Sequence, residues 1–132
     1  MKNEITYAVS KLEKTWERLN EGVENTNDQL DEDGVIKRFE FTFEVFWKTL
    51  KVFLKSKGLE VRTPRDVLKE AFRLEWLDEE SLFLDMLEDR NKTSHIYDEN
   101  ESRRIYERVS KNYLSAISRV INKLKEMSKE DI

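Results

Sequence analysis

The chain has 132 residues, with 24 Lys plus Arg against 28 Asp plus Glu and a formal net charge of −4. That length suits one domain with a real core, and the mild acidity argues against duplex binding on a broadly basic surface while leaving room for a local basic groove. The chain contains no cysteine, which excludes a disulfide framework and a thiolate metal site, and no apolar run approaches the roughly 18 residues that cross a bilayer.

The opening MKNEITY lacks a hydrophobic signal core, so the expectation is a soluble, cytoplasmic protein with no membrane partner. Three glycines, one proline and 39% charged residues favour long helices with solvated charged faces. In chain order, Ile5, Ala8, Leu12, Trp16, Leu19 and Val23 step by three and four, which predicts a helix over about residues 3–25. Asn25–Asp28 and Asp31–Gly34 read as a polar connection.

The second predicted helix, about 34–57, carries Ile36, Phe39, Phe43, Phe46, Leu50 and Phe53, widened by Phe41, Val45, Trp47, Val52 and Leu54. So wide an apolar face suggests a central helix with partners on two sides. Glu40, Glu44, Lys48 and Lys51 form its polar strip. Paired carboxylates at Glu40 and Glu44 invite a catalytic or metal-binding reading, but no second acidic or histidine pair repeats the pattern, so a salt-bridged strip is preferred. Gly58 supplies a stop.

Thr63-Pro64-Arg65-Asp66 predicts a helix start, with Thr63 as cap, Pro64 at the first position and Asp66 against the dipole. Val67, Leu68, Ala71, Phe72 and Trp76 follow at helical spacing. Asp78 is the expected cap of a fourth helix, in which Phe83, Met86, Leu87 and Arg90 share a face. Asp98 and Glu101 mark the start of a fifth, expected to run to about 127 on two apolar stripes. Arg103, Arg104 and Arg108 cluster in its early turns; solvated charge is the first reading, an anion-binding groove the alternative. About five helices with short connections make an all-α antiparallel bundle, and no stretch alternates with period two.

The stretch Asp89–Asp98 holds the only histidine, His95, with Arg90 five residues before, Asn91 four before and Tyr97 two after. If the fourth helix continued through it, Asn91 and His95 would share a face. Imidazole is suited to proton transfer near neutrality, guanidinium to phosphate oxygens, and Asn91 to holding the imidazole or a substrate group. The set fits metal-independent cleavage of RNA, with His95 as acid or base and Arg90 stabilising charge at phosphorus. The competing reading is a helix-end Arg and His that cap carbonyls. One histidine without an acidic cluster makes a poor metal site, and no cofactor is implied.

Residues 90–97, RNKTSHIY, resemble the R-x4-H-x-Y motif of HEPN-domain proteins. RFEFTFEVFWKTLK at 38–51, TPRDVLKEAF at 63–72 and LDMLEDRNKTSHIYDE at 84–99 resemble the nucleotidyltransferase substrate-binding protein family, a HEPN branch. The resemblance implies a single HEPN-like domain over 1–132 with a four-helix-bundle core, a homodimer, and a minimal nucleotidyltransferase partner encoded nearby. It further implies catalytic roles for Arg90 and His95 with Asn91 in support, and adenylylation of Tyr97 by the partner, as in toxin–antitoxin pairs whose HEPN member is a ribonuclease. RNA contacts would then fall to Arg103 and Arg104. The family's other implied role is a non-catalytic subunit that presents substrate to the nucleotidyltransferase. One departure from the family pattern stands at 73–77, RLEWL, where a glycine is expected before the turn.

Overall fold

The structure is a computed structural model that describes residues 2–95 and 98–130. The described residues are helical throughout their regular elements and include no strand: α1 (Lys2–Glu24), α2 (Gln29–Ser56), α3 (Pro64–Arg73), α4 (Glu80–Lys92), a 3₁₀ turn (Thr93–His95), α5 (Glu99–Arg108), a π segment (Val109–Tyr113) and α6 (Leu114–Glu130). The last three run on without a break, so they form one rod.

Ion pairs and ring contacts define the topology. Glu13 of α1 meets Lys125 and the Trp16 indole donates to the Leu114 carbonyl, so α1 and α6 are antiparallel. Glu44 meets Arg90 while Phe46 stacks on Phe83, which sets α2 antiparallel to α4. Asp89 meets Arg108 and Asp78 meets Arg119, so α4 opposes the last rod. With α1 and α2 joined by four residues, the rods alternate up and down as a four-helix bundle, with α3 inserted between α2 and α4. Phe39, Phe43, Phe46, Leu50 and Leu54 of α2 are fully buried among residues from every rod. α2 is the central helix that its wide apolar face called for.

The helix ends follow their sequence signals with two exceptions. The Asp66 amide donates to Thr63 Oγ1 at 3.1 Å with Pro64 behind it, as expected. α2 ends in a Schellman motif: the Gly58 amide donates to the Lys55 carbonyl, the Leu59 amide to the Leu54 carbonyl, and Gly58 has φ +81°. However, α2 starts at Gln29, not near 34, because Asp28 accepts the Asp31 amide at 2.9 Å and caps the helix there. Asp31–Gly34, read as connection, are therefore its first turns. Glu79 holds the first flanking position of α4 without a side-chain capping bond, and Asp78, expected as that cap, pairs with Arg119 at 2.9 Å.

Candidate functional site

Arg90 reaches the end of α4 on the side that faces α2. Its Nη2 is paired with Glu44 Oε2, and its Nη1 donates to Asn91 Oδ1 at 3.2 Å. Glu44 also receives the Trp47 indole N–H at 3.2 Å and the Lys48 ammonium at 3.3 Å. Burial works to raise the Glu44 carboxyl, but these hydrogen bonds and the charges of Arg90 and Lys48 outweigh it and hold the group below its ordinary range. Glu44 is thus an ionised anchor for Arg90, a link the sequence reading missed. Its position in the polar strip was visible, but its partner stands 46 residues away. The guanidinium lines an open groove of about 580 Å³ between α2 and α4, with Phe41, Asn91, Thr93 and Ser94.

The residue before Arg90 is clamped from beneath. Asp89 is 4% exposed; its carboxylate takes Arg108 Nε at 2.7 Å and Nη2 at 2.8 Å, a bidentate pair, and accepts the Tyr113 hydroxyl. Tyr113 stacks on Phe39 with ring centroids 5.6 Å apart. Residues five apart on an α-helix lie about 140° round from each other. The i→i+5 turn at Val109–Tyr113 returns Arg108 and Tyr113 to one side, where both meet Asp89. Hydrogen bonding to Asp89 holds the Arg108 guanidinium above its already high range, and burial together with the same carboxylate pushes the Tyr113 phenol upward. Arg108, grouped by sequence with solvated arginines, is instead turned inward.

α4 stops at Lys92, with the Thr93 hydroxyl bonded to the Arg90 carbonyl at 2.7 Å. His95 follows on the tighter 3₁₀ turn and is exposed. The helical continuation that would place Asn91 and His95 on one face is therefore not present. Arg90 and Asn91 are brought together; His95 stands just past them along the chain. Tyr97 lies outside the described residues. Arg103 pairs with Glu32 at 3.0 Å and Glu107 at 3.4 Å, while Arg104 is exposed. A second groove of about 370 Å³ adjoins the first through Lys37, Glu40 and Thr93 and is walled by Asp33, Asp98 and Glu99. The surroundings of Arg90 are thus acidic on that side. Among the described residues no group of three or more His, Cys, Asp or Glu is arranged to hold a metal ion.

The model of the family described as "Nucleotidyltransferase substrate binding protein like" matches residues 3–126. The chain belongs to this family. Its resemblance blocks at 38–51, 63–72 and 84–99 all lie within the matched range. A Haemophilus influenzae protein named "Probable ribonuclease HepT" is 26% identical over 103 residues, covering 74% of this chain and 70% of that protein. A Thermus thermophilus crystal structure is similar with TM-score 0.81 and 34% identity, over 86% of this chain and 98% of that one. A Haemophilus influenzae structure, described as the fold of a substrate binding domain of a nucleotidyltransferase, has TM-score 0.68 and 23% identity over 95% and 99% of the two chains. The nucleotidyltransferase substrate-binding helical fold is common to the family member described here and that structure.

Proposed function

We propose that this protein is the HEPN-type partner of a minimal nucleotidyltransferase and cleaves RNA without metal at Arg90 and His95. The observation that carries the reading is Arg90 itself, held by Glu44 from α2 and set into an open groove with Asn91, five residues before the chain's only histidine. In this chemistry His95 relieves a ribose 2′-hydroxyl of its proton as the oxygen attacks the adjacent phosphorus. Arg90 offsets the charge that builds on the phosphoryl oxygens, and the 5′-oxygen leaves with a proton, giving a 2′,3′-cyclic phosphate and a 5′-hydroxyl end. The name of the Haemophilus ribonuclease relative supports the reading. The acidic walls of the second groove disfavour phosphate on that side of Arg90, with Arg104 the outlying contact.

Silencing would come from the partner. The Tyr97 phenol oxygen attacks the α-phosphorus of ATP, pyrophosphate leaves, and the AMP adduct brings a phosphodiester close to Arg90 in sequence, where it competes for the guanidinium. The family's own description favours a second reading, a non-catalytic substrate-binding subunit.

One experiment separates them: purified protein is incubated with mixed RNAs in EDTA. The expected result is cleavage that His95→Ala and Arg90→Ala each reduce by at least about 100-fold. Co-expression with the partner should add one AMP mass at Tyr97, absent in Tyr97→Phe. Wild type that leaves all RNAs intact, or His95→Ala that cuts equally well, removes the ribonuclease reading in favour of the binding subunit.

A further inference from the structure

α2 carries five phenylalanines. Phe39, Phe43, Phe46 and Phe53 are at most 2% exposed, whereas Phe41 is 56% exposed. Leaving so large an apolar ring in water forgoes the burial its neighbours obtain. Phe41 lines the same groove as Arg90 and Asn91. An aromatic face, a fixed guanidinium and a carboxamide in one cleft are the three chemistries that a nucleotide answers: base face, phosphate, and base edge or ribose hydroxyl.

Charge limits the size of the ligand. Glu40 is paired with Lys37, and Glu44 with Lys48 and Arg90, so the groove walls are close to neutral and suit one phosphate, not a run of them. Its volume of about 580 Å³ falls within the range of small-molecule sites.

We propose that this groove is a single-nucleotide site, with Phe41 stacking the base and Arg90 holding the phosphate. The proposal deepens the site reading given above and rests on its placement of phosphate at Arg90. It adds a residue outside the motif that stacks the base of an unpaired nucleotide; a base locked in a duplex cannot offer its face to Phe41. A free mononucleotide and one unit of a single strand present the same chemistry.

The test uses the full chain with two probes: AMP by calorimetry, and a labelled single-stranded RNA hexamer by anisotropy. The hexamer carries 2′-O-methyl riboses, so binding is read without turnover. Phe41→Ala should weaken binding roughly 5- to 150-fold, the range that loss of one base–aromatic stack gives, and Phe41→Trp should restore it. An abasic hexamer should bind wild type and Phe41→Ala alike. Tighter binding of the hexamer than of AMP assigns the site to a strand; equal binding assigns it to the mononucleotide; either supports the site. The proposal is overturned if wild type binds neither probe, if Phe41→Ala binds as wild type does, or if its loss persists with the abasic hexamer. A change of sedimentation in Phe41→Ala at unchanged affinity overturns it too, by giving the ring to a protein contact. Cleavage in EDTA is scored separately. Stacking without cleavage keeps this site and removes the ribonuclease, whereas His95-dependent cleavage with an indifferent Phe41 does the reverse.

Discussion

Glu75 has φ +65°, the one positive value among the described non-glycine residues. It sits at the end of α3, where its own amide donates to the Phe72 carbonyl and the Trp76 amide to the Ala71 carbonyl, each at 2.9 Å. That is the same Schellman closure that Gly58 makes after α2, built here with a side chain in the left-handed region. Glu75→Gly should therefore stabilise the protein by about 0.5–1 kcal/mol, less than the full strain because glycine also loosens the unfolded chain. Urea unfolding should show a higher midpoint at unchanged slope; an unchanged or lower midpoint would refute the account. The family resemblance led to a glycine being expected in this stretch, so the geometry was legible while the residue that adopts it was not. Gly58 and the Thr63-Pro64 start were legible outright, since each signal acts within a few residues. Glu44 was legible as an ionised strip residue but not as the anchor of Arg90, because only the crossing of α2 and α4 joins them.

The last rod shows what periodicity hides. Two apolar stripes predicted one uninterrupted helix from Asp98 onward, and its buried residues, Val109, Ala116, Ile117, Val120, Ile121 and Leu124 among them, agree. The π segment was not visible, because one widened turn moves the phase of a stripe without removing any apolar residue from it. Its effect is to deliver the Tyr113 hydroxyl to Asp89, and this has a pH signature. A free tyrosine ionises near pH 10. In the fold, burial and the hydrogen bond to Asp89 raise that value, so the neutral phenol is favoured. The stability this contributes is complete below about pH 10 and is lost as pH rises above it toward the folded-state value. Tyr113→Phe should cost about 1 kcal/mol at pH 8. Between pH 9 and about 11 it should then lose less stability than wild type, as read from urea midpoints. Parallel decline of the two proteins would exclude the Tyr113–Asp89 bond as the source.

The breadth of the α2 apolar face suggested partners on two sides, and the chain supplies them itself, with α1 on one flank and α3, α4 and the last rod on the others. Apart from Phe41, that width is largely taken up internally, and the homodimer proposal stands on the family resemblance. It predicts sedimentation at twice the 15.9 kDa chain mass at micromolar concentration; a stable monomer would count against it. If Phe41 belongs to a nucleotide site, Phe41→Ala should leave that assembly state unchanged. The antiparallel pairing of α1 with α6, seen in the Glu13–Lys125 and Trp16–Leu114 contacts, carries a consequence of its own. Lys2 and Glu130 come to the same end of the bundle as the α2–α3 connection at 57–63, whereas Arg90 meets α2 at Glu44, midway along that helix. A short linker could therefore join Lys2 to Glu130 and new termini open within 57–63, giving a circularly permuted chain in which every rod keeps its neighbours and the Arg90–His95 stretch stays uncut.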